Sequence, residues 1–186
     1  MRSFRINPWS AVAGAGAVAY PFLVWFGRTA VPPAGFVLIG VGCIAARMIG
    51  TRRLVRSPVE IIVFLLAAVL LVALLAVSPA IAARSYPVAI SLALAIIFAA
   101  SLRYPPTVIE RIARLTEPDL SPAGVAYTRK VTAVWVAFLL VNAAISLWTA
   151  LWGSLDQWAL WNGLLSYLAM GTLFAVEYLV RRMVRR

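Results

Sequence analysis

The sequence predicts an all-α fold, a polytopic membrane helix bundle of about six transmembrane helices in a single integral membrane domain spanning residues 1–186. Of the 186 residues, 63% are hydrophobic and 12% are charged, about half the charged share of a typical soluble domain. Short segments rich in arginine and proline divide the apolar residues into six runs, the pattern expected of helices that cross a bilayer. The predicted spans are about 10–26, 34–48, 59–77, 87–102, 131–152 and 158–180.

The first run, 10–26, is short and rich in alanine, and Pro21 should kink its helix. A cleavable signal peptide is the weaker alternative for this run, because the Ala-Val-Ala sequence at 17–19 resembles a cleavage site. Gly14 and Gly16 mimic part of a dinucleotide-binding fingerprint, but no strand precedes them and no acidic residue follows about twenty positions later. We therefore interpret the run as a retained span.

Three predicted helix starts have a serine or threonine followed three residues later by glutamate or glutamine, which is the pattern of a capping box. The pairs are Ser57 with Glu60, Thr107 with Glu110, and Ser154 with Gln157. Glu60 has a second interpretation as an intramembrane carboxylate, a kind of residue that is usually functional. Because Glu60 lies at the start of the predicted helix, we favour its role in the capping box.

The segment 103–130 is a long polar stretch that we expect to form a cytoplasmic loop between the fourth and fifth spans. Within it, four apolar residues share one helical face, opposite three charged residues: Val108, Ile109, Ile112 and Leu115 against Glu110, Arg111 and Arg114. This predicts a short amphipathic helix, and Ser121-Pro122 should then cap a further short turn. The candidate interaction surface of the loop comprises Glu110, Arg111, Arg114, Tyr127, Arg129 and Lys130.

Polar side chains recur at three- and four-residue spacing along the fifth span and continue into the sixth, which predicts a stripe facing protein or a cavity. Helix packing is the favoured interpretation and a substrate path the alternative. The glycines Gly163 and Gly171 should meet this stripe in an antiparallel hairpin of the last two spans. The candidate intramembrane stripe comprises Thr132, Trp135, Asn142, Ser146, Asn162, Tyr167 and Glu177.

The distribution of basic residues predicts the orientation. If six spans alternate, all seventeen Arg and Lys residues except Arg28 and Arg84 lie on one side of the membrane. Because cytoplasmic loops are enriched in Arg and Lys, both termini and the central loop should be cytoplasmic.

Composition also excludes several kinds of chemistry. The chain has no histidine and only one cysteine, Cys43, so the common zinc, haem and iron–sulfur ligand sets are missing, and a Ser-His-Asp site is impossible. We therefore expect no cofactor and no metal. The net charge of +11 could suggest nucleic acid, but the arginines flank apolar runs and form no separate basic domain, so we expect no nucleic-acid partner.

From the central loop to the C-terminus the chain resembles an uncharacterised family of small bacterial inner-membrane proteins, whereas the first four spans resemble that family only in layout. The resemblance implies a bacterial inner-membrane location and a role beside aryl polyene and related acyl-carrier-protein-dependent, fatty-acid-like biosynthesis. The matching pieces are Tyr104-Pro105, Glu110-Arg111, Arg114-Leu115, Pro118-Asp119-Leu120, Tyr127-Thr128-Arg129-Lys130, Thr132, Trp135, Asn142, Trp158, Trp161-Asn162-Gly163, Tyr167, Gly171, Glu177-Tyr178 and Arg181.

We compare three possible functions of the chain. The first is a non-catalytic inner-membrane component that docks an acyl carrier protein or soluble biosynthetic enzymes at its basic cytoplasmic face, since such carriers are acidic. The alternative is a small lipid or metabolite transporter that uses the polar stripe of the fifth span. An enzyme using Glu110, Glu117, Asp119 or Tyr127 is the least favoured. Membrane lipids are expected partners in each case, and the oligomeric state is left open.

Overall fold

A computed structural model describes residues 8–50 and 58–184, which form helices joined by short turns and loops, with no strand in those ranges. Pro, Ser and Thr mark most helix starts, as expected from their capping roles. The helices are α1 Pro8–Gly27, α2 Pro33–Gly50, α3 Pro58–Val77, α4 Pro79–Arg84, α5 Tyr86–Arg103, α6 Val108–Ala113, α7 Pro122–Leu151, α8 Leu155–Leu160 and α9 Ser166–Val184, with a π-helical turn, Trp161–Leu165, joining α8 to α9.

Four helical segments in the described ranges are long and apolar enough to cross a membrane: α3, α5, α7 and the continuous segment Leu155–Met183. In α1 and α2 the apolar lengths found are shorter, Val18–Gly27 and Pro33–Ile49. The all-α fold is therefore confirmed for the described residues, with four helical segments that could span a membrane. The count of six spans stays a prediction, because a helix needs about 20 apolar residues to cross the hydrocarbon core upright.

The fifth apolar helix begins earlier than predicted. We expected a span from 131 after a separate short turn, but α7 is one helix of 30 residues that starts at Pro122. The Ser121 hydroxyl accepts a hydrogen bond from the Gly124 amide at 3.2 Å, and proline occupies the first helical position. A good cap and a proline at this position nucleate the helix in the polar segment, so α7 carries Arg129 and Lys130 on its second and third turns.

The short helix α6 forms where expected, but its predicted amphipathic orientation is not confirmed. Thr107 caps it by accepting from the Glu110 amide at 3.2 Å. The predicted polar residue Glu110 is only 5% exposed, whereas the predicted apolar contact Ile112 is 54% exposed. The carboxylate can be buried because Arg114 pairs with it, and a helix of six residues is too short for its apolar face alone to fix its rotation.

Helix α7 packs mainly on α5, not on α9 as we expected. The Asn142 amide nitrogen donates to the Ser91 hydroxyl of α5 at 2.9 Å, and the rings of Trp135 and Phe98 lie 6.5 Å apart. Ser91 and Ala95 lie four residues apart on α5, so small residues there allow the close approach.

The two glycines of the last span have different surroundings. Gly163 lies against the ring of Phe22 in α1, where an added Cβ would be 3.0 Å from the nearest ring carbon. Gly171 has no atom within 4 Å of an added Cβ. The nearest neighbour of Gly163 is therefore α1, and Gly171 makes no close contact, while α7 contacts the π-helical turn through the Ser146–Asn162 hydrogen bond.

The end of the bundle opposite α6, here called the turn end, contains the α4–α5 and α7–α8 connections. Trp158 is fully buried there, and its indole nitrogen donates to the Arg84 carbonyl at 3.0 Å. The Tyr20 hydroxyl donates to the Ala83 carbonyl at 2.7 Å. Ser154 and Gln157 form the predicted capping box of α8. These bonds connect α1, α4 and α8 in one core.

Candidate functional site

The other end of the bundle, called the loop end, holds α6, the start of α3 and the C-terminal half of α9. An ion pair connects two of these elements, since both terminal nitrogens of Arg111 lie 3.3 Å from Oε1 of Glu60. Glu60 lies in the first turn of α3 and also binds Arg111 of α6. Its predicted cap partner, Ser57, lies outside the described residues.

A second ion pair stabilises the loop internally. The Arg114 guanidinium donates to Oε1 of Glu110 from Nε at 3.0 Å and from Nη2 at 2.8 Å. Its Nη1 donates to the Pro118 carbonyl at 2.9 Å. One side chain therefore connects the end of α6 to the segment that leads into α7, which fixes that segment's path.

The six predicted surface residues lie at one end of the bundle but differ in accessibility. Glu110 is buried, Arg111 and Arg114 are ion-paired, and Arg129 donates to the Leu102 carbonyl at 2.8 Å. Lys130 is exposed on α7. Arg103, which sequence reasoning did not select, is also exposed at this end. Four of the six residues thus brace the loop, and Arg103 extends the accessible basic surface.

The predicted polar stripe is mostly buried in helix contacts. The Ser146 hydroxyl donates to the Asn162 side-chain oxygen at 2.7 Å, and the Asn162 nitrogen donates to the Trp158 carbonyl at 2.9 Å. Thr132 is fully buried and donates to its own helix. Among the described residues, the Asn142 oxygen is buried without a hydrogen-bond partner. These bonds are those of a packed interface.

The last two stripe residues lie elsewhere. Tyr167 is half-buried in α9. Glu177 pairs with Arg181 at 3.3 Å, as its four-residue spacing predicts. The stripe is therefore not continuous, because the π-helical turn at Trp161–Leu165 shifts the faces of the helix that follows it.

A groove of about 470 Å³ opens at the loop end between α6, the start of α7 and the C-terminal half of α9. This volume lies within the range of ligand sites in proteins. Trp135 and Phe174 pack at one side of the groove with ring centroids 4.6 Å apart. Most of the wall is apolar and includes Ile109, Ile112, Leu120, Val131, Trp135 and Phe174.

Charged and hydroxyl groups also line this groove. The Glu177–Arg181 ion pair lies in its wall together with Glu117 and Tyr127. The Tyr127 hydroxyl donates to the Glu177 carbonyl at 3.4 Å, which connects α7 to α9. The groove thus combines an apolar wall with two carboxylates and one guanidinium, an arrangement suited to binding an amphipathic molecule.

Sequence reasoning selected Trp135, Tyr127 and Glu177 for other reasons but missed the groove and its residues Phe174 and Leu120. No local pattern reveals it, because its walls come from three elements far apart in the chain. The nearest signal is the apolar residue Leu120 between Pro118 and Pro122, in a segment that is otherwise polar.

Within residues 8–50 and 58–184, no group of three His, Cys, Asp or Glu side chains comes together that could hold a metal ion. The titratable side chains in the groove wall are Glu117, Tyr127, Glu177 and Arg181. Comparison with protein families, curated proteins and solved structures finds no match. The resemblance to an inner-membrane family, from the central loop to the C-terminus, therefore remains a prediction.

Proposed function

We propose that this chain is a non-catalytic bacterial inner-membrane component of an acyl or polyene-type lipid biosynthesis or export system. In this proposal the chain spans the membrane six times, with both termini in the cytoplasm. Its loop end docks a soluble acidic partner, such as an acyl carrier protein or a biosynthetic enzyme. The observation that carries the proposal is the braced loop, whose ion pairs connect it to α3 and to the segment before α7.

The bracing supports docking because an ordered surface loses less conformational entropy on binding than a mobile loop does. Arg111 attaches α6 to α3, and Arg114 attaches the segment after α6 to Glu110 and Pro118. Arg129 attaches α7 to the end of α5. A simple connector between two spans needs only a few residues and no such set of ion pairs.

The accessible charges support an acidic partner. Arg103, Lys130 and Arg182 are exposed at the loop end, and Arg129 is exposed although it donates to Leu102. A positive surface raises the association rate of an acidic protein and disfavours basic ones. The same positive charge supports a cytoplasmic orientation for this end.

The alternative function, a small lipid or metabolite transporter that uses the polar stripe, rests on one observation. The buried Asn142 oxygen has no hydrogen-bond partner among the described residues. Buried polar groups of that kind often mark functional positions in membrane helices. The hydrogen bonds of Ser146 and Asn162 instead favour the interpretation of the stripe as a helix-packing interface.

A pull-down from native membranes tests the docking function. The double variant Arg103→Glu and Lys130→Glu reverses two exposed charges, so recovery of the soluble partner should fall severalfold at equal membrane abundance. Wild-type recovery should also fall with rising salt, because exposed charges are screened over about 8 Å at physiological ionic strength.

The matched control is Arg28→Glu, which reverses a half-exposed charge near the turn end. It should leave recovery unchanged, because the proposed orientation puts Arg28 on the other side of the membrane. If the double variant recovers the same proteins as the wild type, at the same level and salt dependence, the docking function is wrong.

A further inference from the structure

The groove between α6, α7 and α9 combines an apolar side with charges that already have partners. We propose that it binds one uncharged, single-chain acyl ester, a monoacylglycerol of medium chain length that enters from the bilayer. This inference goes beyond the docking function and rests on the groove alone.

The apolar side of the groove suits an acyl tail. Trp135 is buried there and stacks on Phe174 with ring centroids 4.6 Å apart, and Val131 lies one turn before Trp135 in the same wall. Phe174 is itself exposed, and so are Val176 and Leu179 further along α9. The apolar surface therefore continues from the groove onto the outside of the bundle, which gives a chain from the bilayer a path of entry.

The charges in the wall select an uncharged headgroup. Arg181 approaches both carboxylate oxygens of Glu177, with Nε 3.3 Å from Oε1 and Nη2 3.3 Å from Oε2. Glu117 is not free either. An anionic headgroup that took Arg181 would leave the Glu177 carboxylate, whose side chain is 15% exposed, without its counter-charge, and a cationic headgroup would compete with Arg181 for that carboxylate. A neutral headgroup leaves the ion pair intact.

Hydroxyl groups in the wall match the oxygens of a glycerol ester. The Ser121 hydroxyl accepts from the Gly124 amide, which leaves its own proton for an ester carbonyl. The Thr116 hydroxyl donates to the Ala113 carbonyl, which leaves its oxygen to accept from a glycerol hydroxyl. Both Ser121 and Thr116 are exposed, so a headgroup can reach them.

The volume accommodates the headgroup and the tail together. A groove of about 470 Å³ holds roughly fifteen non-hydrogen atoms, if each takes about the volume of a water molecule in the liquid, roughly 30 Å³. An octanoylglycerol has about this many atoms with its headgroup counted. The hexadecanoyl ester would leave about half of its chain outside the groove.

Photolabelling of the full chain in phosphatidylcholine vesicles tests the site, with an octanoylglycerol that has a diazirine at the end of its acyl chain. Peptide mass spectrometry should find the label on α7 near Trp135 and on α9 near Phe174. Decyl sulfate, which has the same number of non-hydrogen atoms but a fixed negative charge, is the matched competitor. At equal mole fraction, unlabelled octanoylglycerol should compete about fivefold better than decyl sulfate, the upper range for one partly exposed charge.

Two valines of α7 separate the groove from general lipid contact. Val131 lines the groove, whereas Val134 is exposed and does not line it. Val131→Trp should fill the groove and lower labelling at both sites severalfold, and Val134→Trp should leave labelling unchanged. Glu177→Gln removes the partner of Arg181, so decyl sulfate should then compete at least as well as octanoylglycerol.

Equal competition by decyl sulfate and octanoylglycerol in the wild type would overturn the proposal, because it would show binding of any amphiphile. Labelling that persists in Val131→Trp, or that is spread evenly over the exposed helices of the wild type, would place the ester elsewhere. If Val131→Trp does not fold, the order of the competitors in Glu177→Gln decides alone, and an unchanged order contradicts the proposal. The Tyr127 hydroxyl bonds to the backbone carbonyl of residue 177, so this contact survives that substitution.

Discussion

Arg111 of α6 binds Glu60 of α3 across 51 positions of sequence, with both terminal guanidinium nitrogens 3.3 Å from one carboxylate oxygen. The pair is largely shielded, since the side chains are 29% and 11% exposed. It holds the short helix α6 against the bundle.

The first prediction follows from this pair. Arg111→Gln should destabilise the docked position of α6 by about 2 kcal/mol, as expected for a hydrogen-bonded charge that is still partly hydrated. Trypsin added to the loop side of membrane vesicles should then cleave within 103–121 about 30-fold faster, because each 1.4 kcal/mol is a factor of ten.

The charge-swapped variant, Glu60→Arg with Arg111→Glu, serves as its control and should recover part of the protection. Cleavage as slow in Arg111→Gln as in the wild type would mean that the ion pair does not hold the loop.

The second prediction compares the two glycines of the last span. Gly163→Leu should lower the stability of the folded protein by about 1–3 kcal/mol, the usual cost of overpacking, because its Cβ would lie 3.0 Å from the Phe22 ring. Gly171→Leu should be tolerated, because no atom lies within 4 Å of its added Cβ.

Unfolding of both variants in a detergent titration, followed by near-UV circular dichroism, measures this difference. Gly163→Leu with Phe22→Ala should recover part of the loss. Equal effects of the two leucines would contradict the contact between α1 and the π-helical turn.

The third prediction concerns topology. Reporter fusions after Arg84 and Asp156 should give periplasmic signals, and fusions after Arg114 and Arg186 cytoplasmic ones, because nearly all Arg and Lys lie on one side if six spans alternate. A periplasmic signal from the Arg114 fusion would exclude the proposed orientation. A fusion after Arg28 tests α1 separately and should be periplasmic.

The sequence predicted what depends on local chemistry. Ser154 and Gln157 form their capping box because the two groups are three residues apart, and Glu177 reaches Arg181 because a helix puts positions four apart on one face. The positions of the six apolar runs follow from composition in the same way.

Contacts between distant elements were not predictable. The three- and four-residue spacing predicted that Asn142 faces another part of the protein. It did not predict that this part is Ser91 of α5, where α9 was expected, because spacing identifies a helical face and not its neighbour. Glu110 was assigned to a polar face, yet it is buried since Arg114 neutralises it. The sequence did not predict the groove either, because three elements that are far apart in the chain form it.

The π-helical turn separates a closely packed part of the last span from a part with few contacts. Within the described chain, the turn and α8 pack against α1 and α7, whereas the 19 residues of α9 have few neighbours beyond the Tyr127–Glu177 bond and the Trp135–Phe174 stack. That helix is about 28 Å long at 1.5 Å per residue, so a pivot of about 5° at the turn moves its far end by about 2.5 Å. Such a swing changes the width of the groove while the buried Trp158 end stays fixed.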